Sequence, residues 1–186
     1  MRSPFYFVAA FVLSIWLVFL VDWPIPYDLS QWGIHPRRLT GIPGIALMPF
    51  LHGSFYHLFS NSIPLAILLV LLVGSQRKPW QVVTGIVLLN GALVWLMARS
   101  DTNHVGASGL VFGLIGFLIL NGFLEKKVVS IIVALVVGFF FGSTLISGMI
   151  PQIGGEVSWE AHFFGAVSGA VVAYAWSQMN QRLAWK

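Results

Sequence analysis

Residues 128–149 read VVSIIVALVVGFFFGSTLISGM, and this stretch decides the fold class. It carries no charge over 22 positions and is fenced by Glu125-Lys126-Lys127 on one side and Pro151 on the other. As an α-helix rising 1.5 Å per residue it covers about 33 Å, enough for a bilayer's hydrocarbon core of about 30 Å. Helix is required, because lipid offers no partner to an unpaired backbone N–H or C=O. Working outward, five further stretches have the same character: about 5–21, 54–73, 80–98, 107–123 and 159–178. Polar breaks separate them, notably 74–79 and 99–104, and after the fifth span Pro151-Gln152-Ile153-Gly154-Gly155-Glu156. The expected fold is therefore all-α: a polytopic membrane protein of six transmembrane helices, one domain over 1–186.

Composition agrees. The chain is 58% hydrophobic and 9% charged, against about 25% charged in soluble domains. A soluble chain of this size could not hide so much apolar surface. There is no cysteine, which excludes disulfides, a thiolate nucleophile and cysteine-ligated zinc. The ten basic residues are scattered singly or in pairs, so no stripe for nucleic acid is formed. The run from Phe5 to Val21 is long for a signal peptide and is followed by no small-x-small site; a retained first span is expected. Residues 22–53 form one long loop. Its apolar piece, Ile42 to Leu51, is interrupted by Pro43 and Pro49 and is too short to cross. An interfacial or re-entrant course is expected there, with Trp23, Tyr27 and Trp32 at headgroup level.

The basic residues also set orientation. With the N-terminus inside, Arg2, Arg77, Lys78, Lys126, Lys127, Arg182 and Lys186 are cytoplasmic, and Arg37, Arg38 and Arg99 lie outside. Seven against three favours N-in, C-in. Spans two, four and six then all start at the outer surface, and each opens on a polar group: His57 and Asn61, then Ser108, then His162. His57 and Asn61 are i and i+4 and share a face. Gly109-x-x-x-Gly113 and Gly165-x-x-x-Gly169 are small-x-x-x-small patterns that let two membrane helices approach closely. Packing spans four and six through these glycines brings Ser108 and His162 within hydrogen-bond reach. A serine hydroxyl needs such a base to attack, and a neutral imidazole suits the task. The oxyanion formed needs donors, for which Asn61, His57 and the Ser108 backbone N–H are candidates. No Asp or Glu stands in the interior of a span to orient His162, so a dyad is expected rather than a triad.

These segments carry a resemblance. Gly106-Ala107-Ser108-Gly109 resembles the GxSG motif of rhomboid proteases. Ala161-His162-Phe163-Phe164-Gly165 with Gly169 is similar to the family's AHxxGxxxG helix, and His57 to Asn61 to its HxxxN helix. The resemblance runs from about Pro49 to Tyr174 and implies an intramembrane serine endopeptidase that cleaves single-pass transmembrane substrates in membrane lipid. It implies Ser108 as nucleophile, His162 as base, His57 and Asn61 in the oxyanion hole, and no cofactor. Phe112 stands where members often have a tyrosine packed on the histidine. Trp32 stands apart from Arg37 and Arg38, where many members carry an adjacent Trp-Arg pair. The six-span design suits a bacterial inner membrane.

Taken singly, each residue has a plainer reading. Ser108 alone is a packing or capping serine, and Asn61 alone is glue between helices. The glycines serve packing on any reading. No HExxH motif is present, and His52 and His57, five apart, share no helix face; no metal site is expected. His104 is expected to be a solvated neighbour of Ser108 rather than a gating residue, Arg99 and Asp101 to be loop charges, and Glu160 to be a surface charge. Two other functions compete with the protease. One is a rhomboid-like binder without catalysis, which typically lacks the serine or the histidine. The other is a small transporter or channel, which needs ionisable groups along a path through the bilayer rather than at one end.

Overall fold

The computed structural model describes residues 5–24, 26–151 and 158–184, with side chains as far as residue 180. The break expected at 152–156 and the terminal charges Arg2 and Lys186 fall outside these residues, as does the side chain of Arg182. Long helices dominate: α1 (Phe5–Asp22), α3 (Phe55–Ser75), α4 (Pro79–Met97), α5 (Ser108–Glu125), α6 (Val128–Gly148) and α7 (Trp159–Ala184). A short α2 (Gly44–Leu47) lies in the first loop among three 3-10 turns. Local chemistry explains the helix ends. Ser54 caps α3 by accepting the His57 N–H at 3.1 Å, and Pro79 starts α4, where a missing N–H costs nothing. Lys126 leaves α5 in the left-handed conformation (φ 55°), so two lysines suffice to turn the chain into α6.

Five of the long helices, α1 and α3 to α6, are long and apolar enough to cross a membrane. The sixth expected span corresponds to α7, which is 26 residues long but less apolar, because it buries Glu160, His162, Ser168 and Ser177. The polar side of α7 is buried against protein, chiefly α5 and α4. Burial ranks the helices. α5 buries 61% of its span and is the central post, whereas α1 buries 11% and lies at the edge.

Glycines set the closest approach in the bundle. A Cβ on Gly165 would fall on the Gly109 carbonyl, and one on Gly169 on the Gly113 carbonyl. The α5 and α7 backbones therefore touch along the two stripes expected from sequence. The first loop does not cross the bundle. It folds through the 3-10 turns and α2 and docks on α4: Arg37 N–H donates to the Trp95 carbonyl at 2.9 Å, and its guanidinium reaches the Ala98 carbonyl at 2.7 Å. Trp23, Tyr27 and Trp32 stay exposed.

Candidate active site

The Gly106-Ala107-Ser108 turn sits at the head of α5. Gly106 has φ +105°, a conformation that side chains strongly disfavour, and a Cβ there would meet the His57 ring. The turn delivers Ser108 as the first residue of α5, where backbone N–H groups have no intrahelical acceptor and the helix dipole is positive. The Gly106 N–H donates to the Met48 carbonyl at 2.9 Å. The Ala107 N–H donates to His52 Nε2 at 3.4 Å, so the first loop holds the serine turn from behind.

His57 and Asn61 stand beside this turn. Asn61 is buried, and its Nδ2 donates to the His57 carbonyl at 2.9 Å. One amide hydrogen is thereby used and the other left over. His57 packs edge-on against buried His52, with ring centroids 5.2 Å apart.

His162 lies in the first turn of α7. Its ring is stacked on Phe112 at 4.0 Å with 1° between the planes. Phe112 is one helical turn beyond Ser108 and on the same face. His162 Nδ1 lies 3.0 Å from the Gly148 carbonyl. A carbonyl only accepts, so Nδ1 carries the hydrogen and Nε2 is the free base. No hydrogen bond joins Ser108 to His162 among the described residues. The two are brought together instead around one cavity of about 650 Å³, which Ser108, His162, His57 and Asn61 all line.

Two expectations need correction. His104 is 2% exposed rather than solvated. Its imidazole lies between the Thr102 and Ser158 hydroxyls at 2.7 and 2.6 Å. Burial pushes its pKa down to about 4. Glu160 is 3% exposed rather than a surface charge; Arg99 donates to both its oxygens, at 2.5 and 3.1 Å. Sequence reading also missed Gly148 and His52. The Gly148 contact is made by a backbone carbonyl, which every residue carries. The spacing of His52 and His57 rules out a shared helix face but not a meeting across a helix start.

Comparison with known proteins identifies the family. The family model for the rhomboid domain matches residues 41–179. An uncharacterized protein of Mycobacterium tuberculosis, Rv1337, is 38% identical over 185 residues, covering 94% of this chain and 76% of its own length. Another uncharacterized protein, ML1171 of Mycobacterium leprae, is 36% identical, covering 94% of this chain and 72% of its own. The stretch matched by the family model takes in the first loop from Gly41, the serine turn and both glycine stripes, and the chain belongs to the rhomboid family of intramembrane proteases.

Proposed function

We propose that the chain is an intramembrane serine endopeptidase in which Ser108 is the nucleophile and His162 the general base. The observation that carries this reading is the shared cavity, with Phe112 stacked on His162 one turn below Ser108. As Ser108 Oγ attacks the scissile carbonyl carbon, its proton passes to His162 Nε2. The oxyanion is met by the Ser108 N–H, the second amide hydrogen of Asn61 and the His57 ring. His162 then returns the proton to the leaving amine, and the peptide bond breaks. Water, activated by the same imidazole, hydrolyses the acyl-enzyme and restores the serine. The Ser108–His162 hydrogen bond forms as substrate closes the site, since catalytic pairs are often loose before substrate arrives. A dyad is enough because Gly148 performs the orienting role that an aspartate has in a triad.

The substrate is a single transmembrane helix that enters from the lipid. Its end must unwind, because helical hydrogen bonding and side chains shield each carbonyl. Helices with small or helix-breaking residues near that end are therefore cut preferentially. With N-in, C-in orientation in a bacterial inner membrane, cleavage occurs near the outer face.

The test incubates the purified protein in liposomes with a single-span substrate. Cleavage by wild type, and its loss in Ser108→Ala and His162→Ala, is the expected result. Asn61→Ala should lower kcat about 100-fold, the usual cost of one oxyanion donor. Equal cleavage by wild type and Ser108→Ala would falsify the assignment. No cleavage by either, with tight binding of the substrate helix, would favour a non-catalytic binder.

A further inference from the structure

Two buried side chains, one lining the cavity and one close by, take no part in the chemistry above. His104 lies four residues before Ser108, and Glu160 two residues before His162. Each bonds across to the segment that carries the other reacting group. Thr102 donates its one hydroxyl hydrogen to the Arg99 carbonyl at 2.7 Å, so it accepts from His104, and Nε2 carries the hydrogen. Nδ1 of the neutral ring is then an acceptor, and Ser158 donates to it at 2.6 Å. Ser158 Oγ also accepts the Ala161 N–H at 3.1 Å, which caps the start of α7. Beside this chain, the Arg99–Glu160 pair joins the same two segments. A backbone pair between Ile34 and His104, at 2.9 and 3.0 Å, holds the loop from its other side.

We propose that His104 and Ser158, together with the Arg99–Glu160 pair, form a positioning clasp that fixes the loop ahead of Ser108 against the first turn of α7. The clasp sets the separation of the nucleophile and its base, a role that presupposes the protease reading above. The glycine seam fixes how near α5 and α7 come, but contacts between flat backbone surfaces resist sliding weakly. Directed hydrogen bonds at the cavity end resist it well. His104 and Ser158 line the cavity, but neither needs to touch substrate to matter, because misplacing a reacting atom by about 1 Å can cost about 100-fold in rate. The ring stays neutral through the working range. Burial dominates its low pKa, with Glu160 opposing, and Arg99 and His35 adding to the shift.

Wild type, His104→Ala, His104→Gln, Ser158→Ala and the His104→Ala/Ser158→Ala double variant are compared in detergent for kcat, KM and thermal midpoint. Glutamine offers an oxygen to Ser158 and an N–H to Thr102. His104→Ala should lower kcat about 10- to 100-fold with KM within about twofold of wild type. His104→Gln should recover most of that loss, and the double variant should be no slower than His104→Ala. Full kcat in His104→Ala, no rescue by glutamine, or multiplying losses in the double variant would each overturn the clasp. If His104→Ala does not fold, Ser158→Ala alone decides, and an unchanged kcat overturns it. Wild type no faster than Ser108→Ala removes the protease reading, and the clasp with it; active wild type beside an undiminished His104→Ala removes the clasp alone.

Discussion

The His162 imidazole is oriented by a neutral carbonyl, and that choice has a cost and a benefit. Among the described residues no carboxylate bonds to this ring, so in the proposed mechanism the imidazolium gains no counter-charge, and no buried ion pair has to be desolvated beforehand. The arrangement leans on Gly148, where a Cβ would collide with the Phe112 ring and come within 3.2 Å of His162 Nδ1. Gly148→Ala should therefore disturb stack and hydrogen bond together. A loss of tenfold or more in kcat, with a thermal midpoint close to wild type, is the expected pair of readings. The buried histidines of the loops make a separate prediction. Burial pushes both His52 and His104 down to about 4 from 6.5. Below pH 6.5 the unfolded chain takes up protons that the folded chain refuses until about pH 4. Their contribution is complete above pH 6.5 and is lost as pH falls, by about 2 kcal/mol each at pH 5. Thermal midpoints in detergent should drop between pH 7 and 5, and His104→Gln should flatten that slope.

Helices α5 and α7 are joined by glycine, so a single methyl group tests the seam. A Cβ on Gly169 would land on the Gly113 carbonyl, and backbone cannot give way as a flexible side chain does. Gly169→Ala should cost about 3 kcal/mol, at the upper end for overpacking, with a lower thermal midpoint and lost cleavage. Gly138 and Gly142 on α6 are the controls, since nothing lies within 4 Å of a Cβ there. Alanine at either should be neutral or stabilising by up to about 1 kcal/mol. Much of this level was legible in the sequence. Small residues four apart announce a close helix pair, and uncharged runs of about 20 residues announce spans, because lipid imposes both rules locally. What stayed hidden was made by groups that leave no mark on composition. The Gly148 carbonyl is one, and the carbonyls of Trp95 and Ala98 that receive Arg37 are others. Charge misled at Glu160, since a carboxylate reads as exposed until its arginine, 61 residues away, is known.

At the scale of the whole molecule, the heads of α3, α5 and α7 bring their polar groups to one cavity, and the first loop closes over the same end through Ile34, Met48 and His52. Among the described residues the other end has no comparable cluster: α3 and α4 join through Gln76 to Lys78, and α5 and α6 through Lys126 and Lys127. Which end faces outward is a question the bundle's packing does not touch, because hydrophobic burial is the same either way up. In the proposed N-in, C-in orientation charge decides it, through the excess of lysine and arginine expected from the sequence on the side away from the cavity. The absence of cysteine makes this testable with single substitutions. Asp101 and Lys78 are both exposed and lie in loops at opposite ends. In intact cells a membrane-impermeant maleimide should label Asp101→Cys at once and leave Lys78→Cys untouched until the membrane is opened. The reverse pattern would turn the cavity toward the cytoplasm. Ser108 would then meet substrate helices at their inner ends, and the outward site of cleavage would have to be abandoned even with the dyad intact.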